Sequence, residues 1–164
     1  MYDAWATYDS VRPITAVHYL YTGKQITAWG GYGKGTQRID GGQWIPYQEP
    51  TIVTPPFPEY VSGHSTFSAA GYYTLQQVTG SDLFGDSYVA TPGSSHIEPG
   101  ITPKLAVVLL WLTLSDAAEQ AGLSRRYGGI HFQQGDLDGR ALGQRVAAQA
   151  WSKAQSYING TAQR

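Results

Sequence analysis

The sequence predicts an all-α fold, a helical bundle with long Gly/Pro-rich loops. Three observations predict it. Two stretches, "TPKLAVVLLWLTLSDAAEQAG" and "DLDGRALGQRVAAQAWSKAQSYING", are each long enough for several turns and are bounded by helix start and stop signals. Strand signals are few. A Gly-rich segment spanning 22–59, with "GGYGKG" and several prolines, shows no sustained apolar period.

The elements follow in order. "DAWATYDSV" reads as a short helix, interrupted at Arg12-Pro13 because the residue before a proline is pushed out of the helical region. Pro13 then opens a second helix through "ITAVHYL". The segment 22–59 is loop with one short hairpin, and a loop of that length inside a compact domain is usually functional or braced. A helix is expected from Gly63 to Val78, closed by Gly80, followed by loop over 81–100. The clearest helix has Thr102 as its N-cap, Pro103 in its first turn and Gly122 as its end. "LSRRYGGIHF" is a Gly-containing connector, and the last helix stops at Asn159-Gly160.

Composition narrows the function. The 164 residues predict one domain, 1–164, large enough to bury a sizeable core. A net charge of -1 leaves no electrostatic footprint for nucleic acid. Charged residues are only 14% and aromatics 13%, with 12 Tyr and 5 Trp, which points to extensive buried contact, including contact with another chain. There is no cysteine, so no disulfide or thiolate metal site is needed. "MYDAWATYDS" lacks the basic and apolar regions of a signal peptide. The apolar run "LAVVLLWLTL", Leu105 to Leu114, is too short for a membrane span of about 20 residues and is expected to be a buried core helix.

Three separated stretches offer anion-binding chemistry: "YDSVRP", "VSGHS" and "SRRYGGIH". A helix N-terminus presents unpaired N–H groups and a partial positive charge that suit an oxyanion. At Ser62-Gly63-His64 the serine adds a hydroxyl, the glycine admits close approach, and the imidazole exchanges a proton near neutral pH. The alternative is that Ser62 is a helix cap and His64 an exposed helix residue. Arg12 and Arg125 supply forks of donors that match a tetrahedral anion, and His131 is a second imidazole able to act as nucleophile or ligand. Each alone has an ordinary reading: a cap or a partner of Asp9 for Arg12, a solvated face for Arg125-Arg126, a structural role for His131. The conjunction is what points to chemistry.

In that order, "VRP", "VSGHS" and "SRRYGGIH" resemble the vanadium-dependent haloperoxidases and the type 2 phosphatidic-acid-phosphatase superfamily that shares their site. The wider context, "TPPFPEYVSGHSTFSAA" and "GLSRRYGGIHF", is similar to the bacterial haloperoxidase-like branch. The resemblance covers nearly the whole chain and implies a haloperoxidase-like core without its N-terminal helices.

The resemblance implies that Arg12, Arg125, Ser62 and the Gly63 N–H hold the oxygens of vanadate or of phosphate as a competing occupant. His131 would be the axial ligand of vanadium, or the nucleophile in a phosphatase, and His64 the acid–base residue. The partners implied are hydrogen peroxide, a halide and a small organic substrate. The alternatives are a phosphomonoesterase working through a phosphohistidine, or a non-catalytic helical module. On this reading, His131→Ala abolishes oxyanion binding and leaves thermal stability nearly unchanged. Phe57, Tyr60 and Trp29 are candidates for a halide pocket or for ordinary packing, and His18 and His96 read as structural or surface residues.

The pattern departs from the family in three places. Trp5 stands where the first-motif lysine is expected, with Lys24 and Lys34 as substitutes; Val61 replaces the proline before Ser-Gly-His. Gly135 stands where the phosphatase branch has an aspartate, with Asp136 next. The chain is also shorter than the family's enzymes. That predicts exposed apolar surface, which a homo-oligomer would bury.

Overall fold

The computed structural model describes residues 1–49, 51 and 54–162. Within the loop expectation, positions 50, 52 and 53 lie outside the described residues. Among the described residues the architecture is five α-helices, three of them packed together as the core, and two small antiparallel hairpins, so the fold is mostly helical but not all-α.

The first elements form where their residues direct. Helix α1 spans Tyr2–Tyr8 and ends at Asp9, whose backbone turns left-handed. Helix α2 spans Pro13–Tyr21, with Arg12 at its N-cap and Pro13 in the first position, where the missing N–H costs nothing. The Gly-rich segment contains the expected short hairpin, β1 (Gln25–Trp29) against β2 (Thr36–Asp40), in the register Gln25↔Asp40 to Trp29↔Thr36. Helix α3 spans Gly63–Thr79 and stops at Gly80, whose φ of 71° is the left-handed cap a glycine takes most easily.

The second half corrects the reading of 81–122. Instead of loop followed by a long helix, β3 (Leu83–Ala90) pairs with β4 (Val107–Thr113). Thr102 and Pro103 therefore start no helix. Along β4, Leu109, Trp111 and Thr113 are half-buried, while Val108, Leu110 and Leu112 face solvent. That period of two is a strand's, and an unbroken apolar run hides it because both faces are apolar.

Helix α4 (Leu114–Tyr127) begins only after Thr113, whose hydroxyl accepts the Asp116 N–H while Asp116 accepts the Thr113 N–H. This reciprocal cap fixes the start. The Asp82 carboxylate also accepts from the Ser115 hydroxyl and N–H, tying the foot of β3 to the same turn.

Gly122 does not end α4. It lies inside the helix, where a Cβ would sit 2.3 Å from Asp136 Oδ1 and 2.9 Å from Ser65 Oγ. Glycine serves packing here, not chain reversal. Helix α5 spans Gln133–Ile158.

The core lies where α3 packs against α4 and α5. Contact is close because α5 presents glycines: a Cβ on Gly143 would come within 2.1 Å of the Thr66 carbonyl, and one on Gly139 within 2.9 Å of the Ser62 carbonyl. The fully buried apolar set is small: Val61, Ala69, Ala118, Ile130 and Ala147. The expected buried helix at 105–114 is thus corrected to the largely exposed strand β4 and the first residue of α4, with Val108 64% and Leu110 60% accessible. The molecule exposes 10434 Å², whereas a compact monomer of 17.8 kDa exposes about 8,000 Å². The β3–β4 hairpin contributes exposed apolar side chains, among them Leu83, Val108, Leu110 and Leu112.

Candidate functional site

The loop 54–62 is the frame around which the three motifs gather. The Glu59 N–H donates to the Ser10 carbonyl and the Tyr60 N–H to Ser10 Oγ, which brings the segment before α2 alongside. The Ser62 N–H donates to the Gly135 carbonyl, and the Tyr60 hydroxyl to Asp138 Oδ2, which brings the start of α5 to the same loop. The Trp5 indole N–H donates to the Val61 carbonyl at 3.0 Å and its ring packs on Phe57. Trp5 therefore stands beside the Ser-Gly-His turn as a brace for it.

Arg12 and His131, 119 residues apart in sequence, are in direct contact. Arg12 Nη1 lies 3.0 Å from His131 Nε2 and donates also to the Ile130 carbonyl. Its Nε and Nη2 donate to the Phe57 and Pro58 carbonyls, and the guanidinium lies over the Phe57 ring. Burial lowers the Arg12 pKa, with the charge of Glu59 opposing that shift.

A guanidinium only donates, so Nε2 must be the acceptor. The His131 proton is then on Nδ1, 2.8 Å from Glu59 Oε1. The lone pair by which the resemblance implies vanadium ligation is thus formed, with Arg12 resting on it.

His131 and Glu59 are 6% and 3% exposed, so His131→Ala would leave a carboxylate buried without its ring partner. Such a truncation is destabilising, and the expectation of unchanged stability does not follow from this geometry.

Ser62 is the N-cap of α3 and is fully buried. Its Oγ accepts the Ser65 N–H at 3.4 Å, a long bond, and it donates to no protein acceptor among the described residues. Gly63 is the first residue of α3; a Cβ there would meet only Met1 Sδ at 3.7 Å. No packing contact demands a glycine at this position.

Arg125 lies in the last turn of α4 rather than in a connector. Its Nε donates to Ser124 Oγ, and among the described residues no carboxylate comes within ion-pair distance. Burial lowers its pKa. Arg126 behaves differently, reaching Gln133 and Asp136 as a clamp between α4 and α5.

His64 and Arg125 line one cleft of ≈ 670 Å³ together with Tyr47, Glu49, Ile97 and Tyr127. The cleft wall is pinned by Glu98, which accepts from Trp29 Nε1, the Gly33 N–H and the Tyr47 hydroxyl. Burial raises the Glu98 pKa, yet these three donors outweigh it and hold the carboxyl below its usual range.

Although His64 is exposed by area, the cleft withdraws water from its ring. That desolvation lowers its pKa, and the charge of Arg125 lowers it further. The sign follows directly. Between the depressed folded value and the ordinary value of about 6.5, the unfolded chain binds the proton and the folded chain does not. The His64 contribution to stability is therefore full above about pH 6.5 and is lost as pH falls through that window. A bound oxyanion reverses the field, so its addition is expected to move the His64 midpoint upward in an NMR titration. A midpoint unmoved by saturating orthovanadate would separate His64 from the anion site.

Of the expected site residues, Arg12 touches His131, and His64 shares a cleft with Arg125. Ser62 and Gly63 lie at the head of the same helix as His64. Lys24 donates to the Leu20 carbonyl on α2, and Lys34 sits in the β1–β2 turn.

The aromatic candidates are packed: Trp29 against Tyr47, Phe57 against Trp5, and Tyr60 against Tyr8. His18 bonds the Trp44 carbonyl, and His96 is a surface residue near Glu49. Sequence reasoning missed Glu59 and Glu98. The available signal for Glu59 was a single acid in the otherwise apolar loop "PFPEYV" just ahead of Ser-Gly-His.

The helical-bundle model "VCPO second helical-bundle domain" matches residues 1–160. A holo-type bacterial vanadium-dependent chloroperoxidase is similar at 32% identity and a TM-score of 0.80, over 87% of this chain and 29% of that one. An apo-type bacterial vanadium-dependent chloroperoxidase is similar at 30% identity and a TM-score of 0.85, over 94% of this chain and 33% of that one. The chain spans about a third of the length of these enzymes. No curated protein matches.

Proposed function

Because the chain belongs to the vanadium haloperoxidase family, through its second helical-bundle domain, we propose that residues 1–164 form one oxyanion-binding domain serving vanadate-dependent oxidation of halide by hydrogen peroxide. The observation that carries this reading is charge. Arg125 lines the cleft beside His64 with no carboxylate in ion-pair range among the described residues, while Arg12 and His131 meet close by. A cation in that setting calls for an external anion.

The donor set fits vanadate. Arg12 and Arg125 offer guanidinium N–H groups, Ser62 a hydroxyl, Gly63 a backbone N–H at a helix start, and His131 an Nε2 lone pair directed by its own hydrogen bonds. His131 would be the residue that holds the vanadium through Nε2. Vanadate, when bound, supplies a Lewis-acid centre that activates peroxide for attack by halide.

The chain's own work is to bind, orient and move protons. Arg12 exchanges its bond to Nε2 for one to the anion, and its carbonyl partners at Phe57, Pro58 and Ile130 keep it in place. His64, held neutral by its surroundings, is the base that accepts a proton from peroxide. The cleft beside it has room for a small organic substrate.

A second reading, phosphomonoester hydrolysis with His131 as nucleophile, draws on the Glu59 contact. That contact supplies the acid missing at Gly135. One pair of assays decides. Bromination of a phenolic dye with vanadate, peroxide and bromide is expected, and hydrolysis of an aryl phosphate without vanadate is not. Hydrolysis without bromination would reverse the assignment, and neither activity together with no vanadate binding would leave the non-catalytic module.

The exposed apolar hairpin supports a homo-oligomer in which β3–β4 is covered by a second copy. On that hairpin Leu83, Val108, Leu110 and Leu112 are each more than half exposed, an apolar face of the kind that interfaces cover. Sedimentation equilibrium is expected to show a dimer or larger species, and a soluble monomer at micromolar concentration would remove this reading.

A further inference from the structure

We infer that Glu59 is the positioning residue of His131: its carboxylate, delivered by the 54–62 loop into space left open by Gly135, fixes the imidazole as the Nδ1–H tautomer. The inference deepens the proposed function and rests on His131 being the residue that meets the anion. Three contacts carry it. Glu59 Oε1 lies 2.8 Å from His131 Nδ1. The same oxygen accepts the Phe132 N–H at 3.0 Å, so it is an acceptor twice over and cannot be read as a protonated donor at that atom. At the other edge of the ring, Arg12 Nη1 lies 3.0 Å from Nε2 and suits the same tautomer, but its carbonyl partners at Phe57, Pro58 and Ile130 hold it without that bond, so Arg12 alone does not set the ring.

A ring held this way has its lone pair at one defined atom and its plane set by both edges. Outer partners of this kind raise the basicity of a ligating imidazole and fix its orientation, and their loss costs about 10–100-fold in affinity.

Gly135 shows where the acid comes from. A Cβ on Gly135 would lie 2.1 Å from Glu59 Oε1 and 2.8 Å from its Cδ. The carboxylate occupies the volume that a side chain at 135 would fill. An acid four residues after His131 and an acid from the preceding loop are therefore alternative occupants of one space. Asp136 is no candidate for the role, since its carboxylate is held by Ser65 and Arg140. A purely structural Glu59 would need only to fill that space and satisfy Phe132. It would not need to set the tautomer of His131.

The test uses the whole chain with ¹⁵N-labelled histidine and orthovanadate as the probe. The His131 ring shifts report the tautomer with no anion present, and calorimetry reports orthovanadate affinity. Glu59→Gln keeps an acceptor in place and is expected to retain the Nδ1–H tautomer, with affinity within several-fold of the parent. Glu59→Ala is expected to give a mixture containing the Nε2–H form and to lose at least about 10-fold in affinity. The double variant Glu59→Ala with Gly135→Asp is expected to restore the Nδ1–H form and most of the affinity.

Should Glu59→Ala not fold, the double variant and Glu59→Gln still decide the matter through the tautomer. An unchanged Nδ1–H tautomer in Glu59→Ala, or a double variant that folds with the Nε2–H form, overturns the inference. Tautomer changes as expected in a protein that binds no orthovanadate would uphold the role of Glu59 and remove the proposed function instead.

Discussion

Arg125→Ala is expected to weaken orthovanadate binding by roughly 10- to 150-fold, the equivalent of about 1.5–3 kcal/mol for hydrogen bonds to a charged group, while folding stability stays level or rises. The two halves of this result come from one feature. Arg125 is desolvated, bonded within the protein only to Ser124 Oγ, and faces no carboxylate in ion-pair range among the described residues. A guanidinium so placed contributes little to the fold, because a desolvated charge without a partner opposes burial. Its use is to the ligand.

The same variant should raise the His64 pKa, since Arg125 is the first charge acting on that ring after desolvation itself. Calorimetry, thermal unfolding and a histidine NMR titration check the three outcomes separately. A protein that loses several degrees of thermal stability on this substitution but binds vanadate undiminished would show that Arg125 is structural.

Asp136→Ala is expected to act in the opposite way, costing about 3–5 kcal/mol of stability, or roughly 6–20 °C in Tm for a chain of this size. Asp136 is fully buried. It accepts Ser65 Oγ from α3 at 2.8 Å and Arg140 through both Nε and Nη2 at 2.8 Å, with Arg126 of α4 at 3.7 Å. One carboxylate thus joins all three core helices.

Its removal leaves a hydroxyl without its acceptor and a largely buried guanidinium with only its contacts to Glu119, at a site where Gly122 has been kept small to admit them. Thermal or denaturant unfolding measures the loss. Molecules that remain folded should keep their orthovanadate affinity within several-fold, because Asp136 makes no contact with Arg12, His131 or Arg125. A stable Asp136→Ala protein would remove the carboxylate from the core's account. The two substitutions thus separate a cation held for a ligand from an anion held for the fold.

The legible parts of the fold were those with local causes. Pro13 at a helix start, Ser62 as a cap and Gly80 as a stop each act through their own backbone preferences, and α2 and α3 appear where those residues place them. The run 105–114 reads as a helix in the sequence because a strand with two apolar faces carries no alternation in its composition. Only pairing with 83–90 reveals its period. Gly122 looked like a stop because glycine is a common one. Its real cause, the approach of Asp136 and Ser65, lies 14 and 57 positions away along the chain.

By itself the sequence determined which chemical groups this protein owns and the family it belongs to, because the spacing of "VRP", "VSGHS" and "SRRYGGIH" survives without any knowledge of contacts. The tertiary structure alone decided which acid serves which base. Glu59 and not a residue near 135 reaches His131, Asp136 is committed to the core, and Arg125 rather than Arg126 faces the cleft. The physical reason is that hydrogen bonds and desolvation depend on distances between atoms remote in the chain. Composition and spacing record the groups, whereas packing decides which of them share a space dry enough for their charges to act on one another.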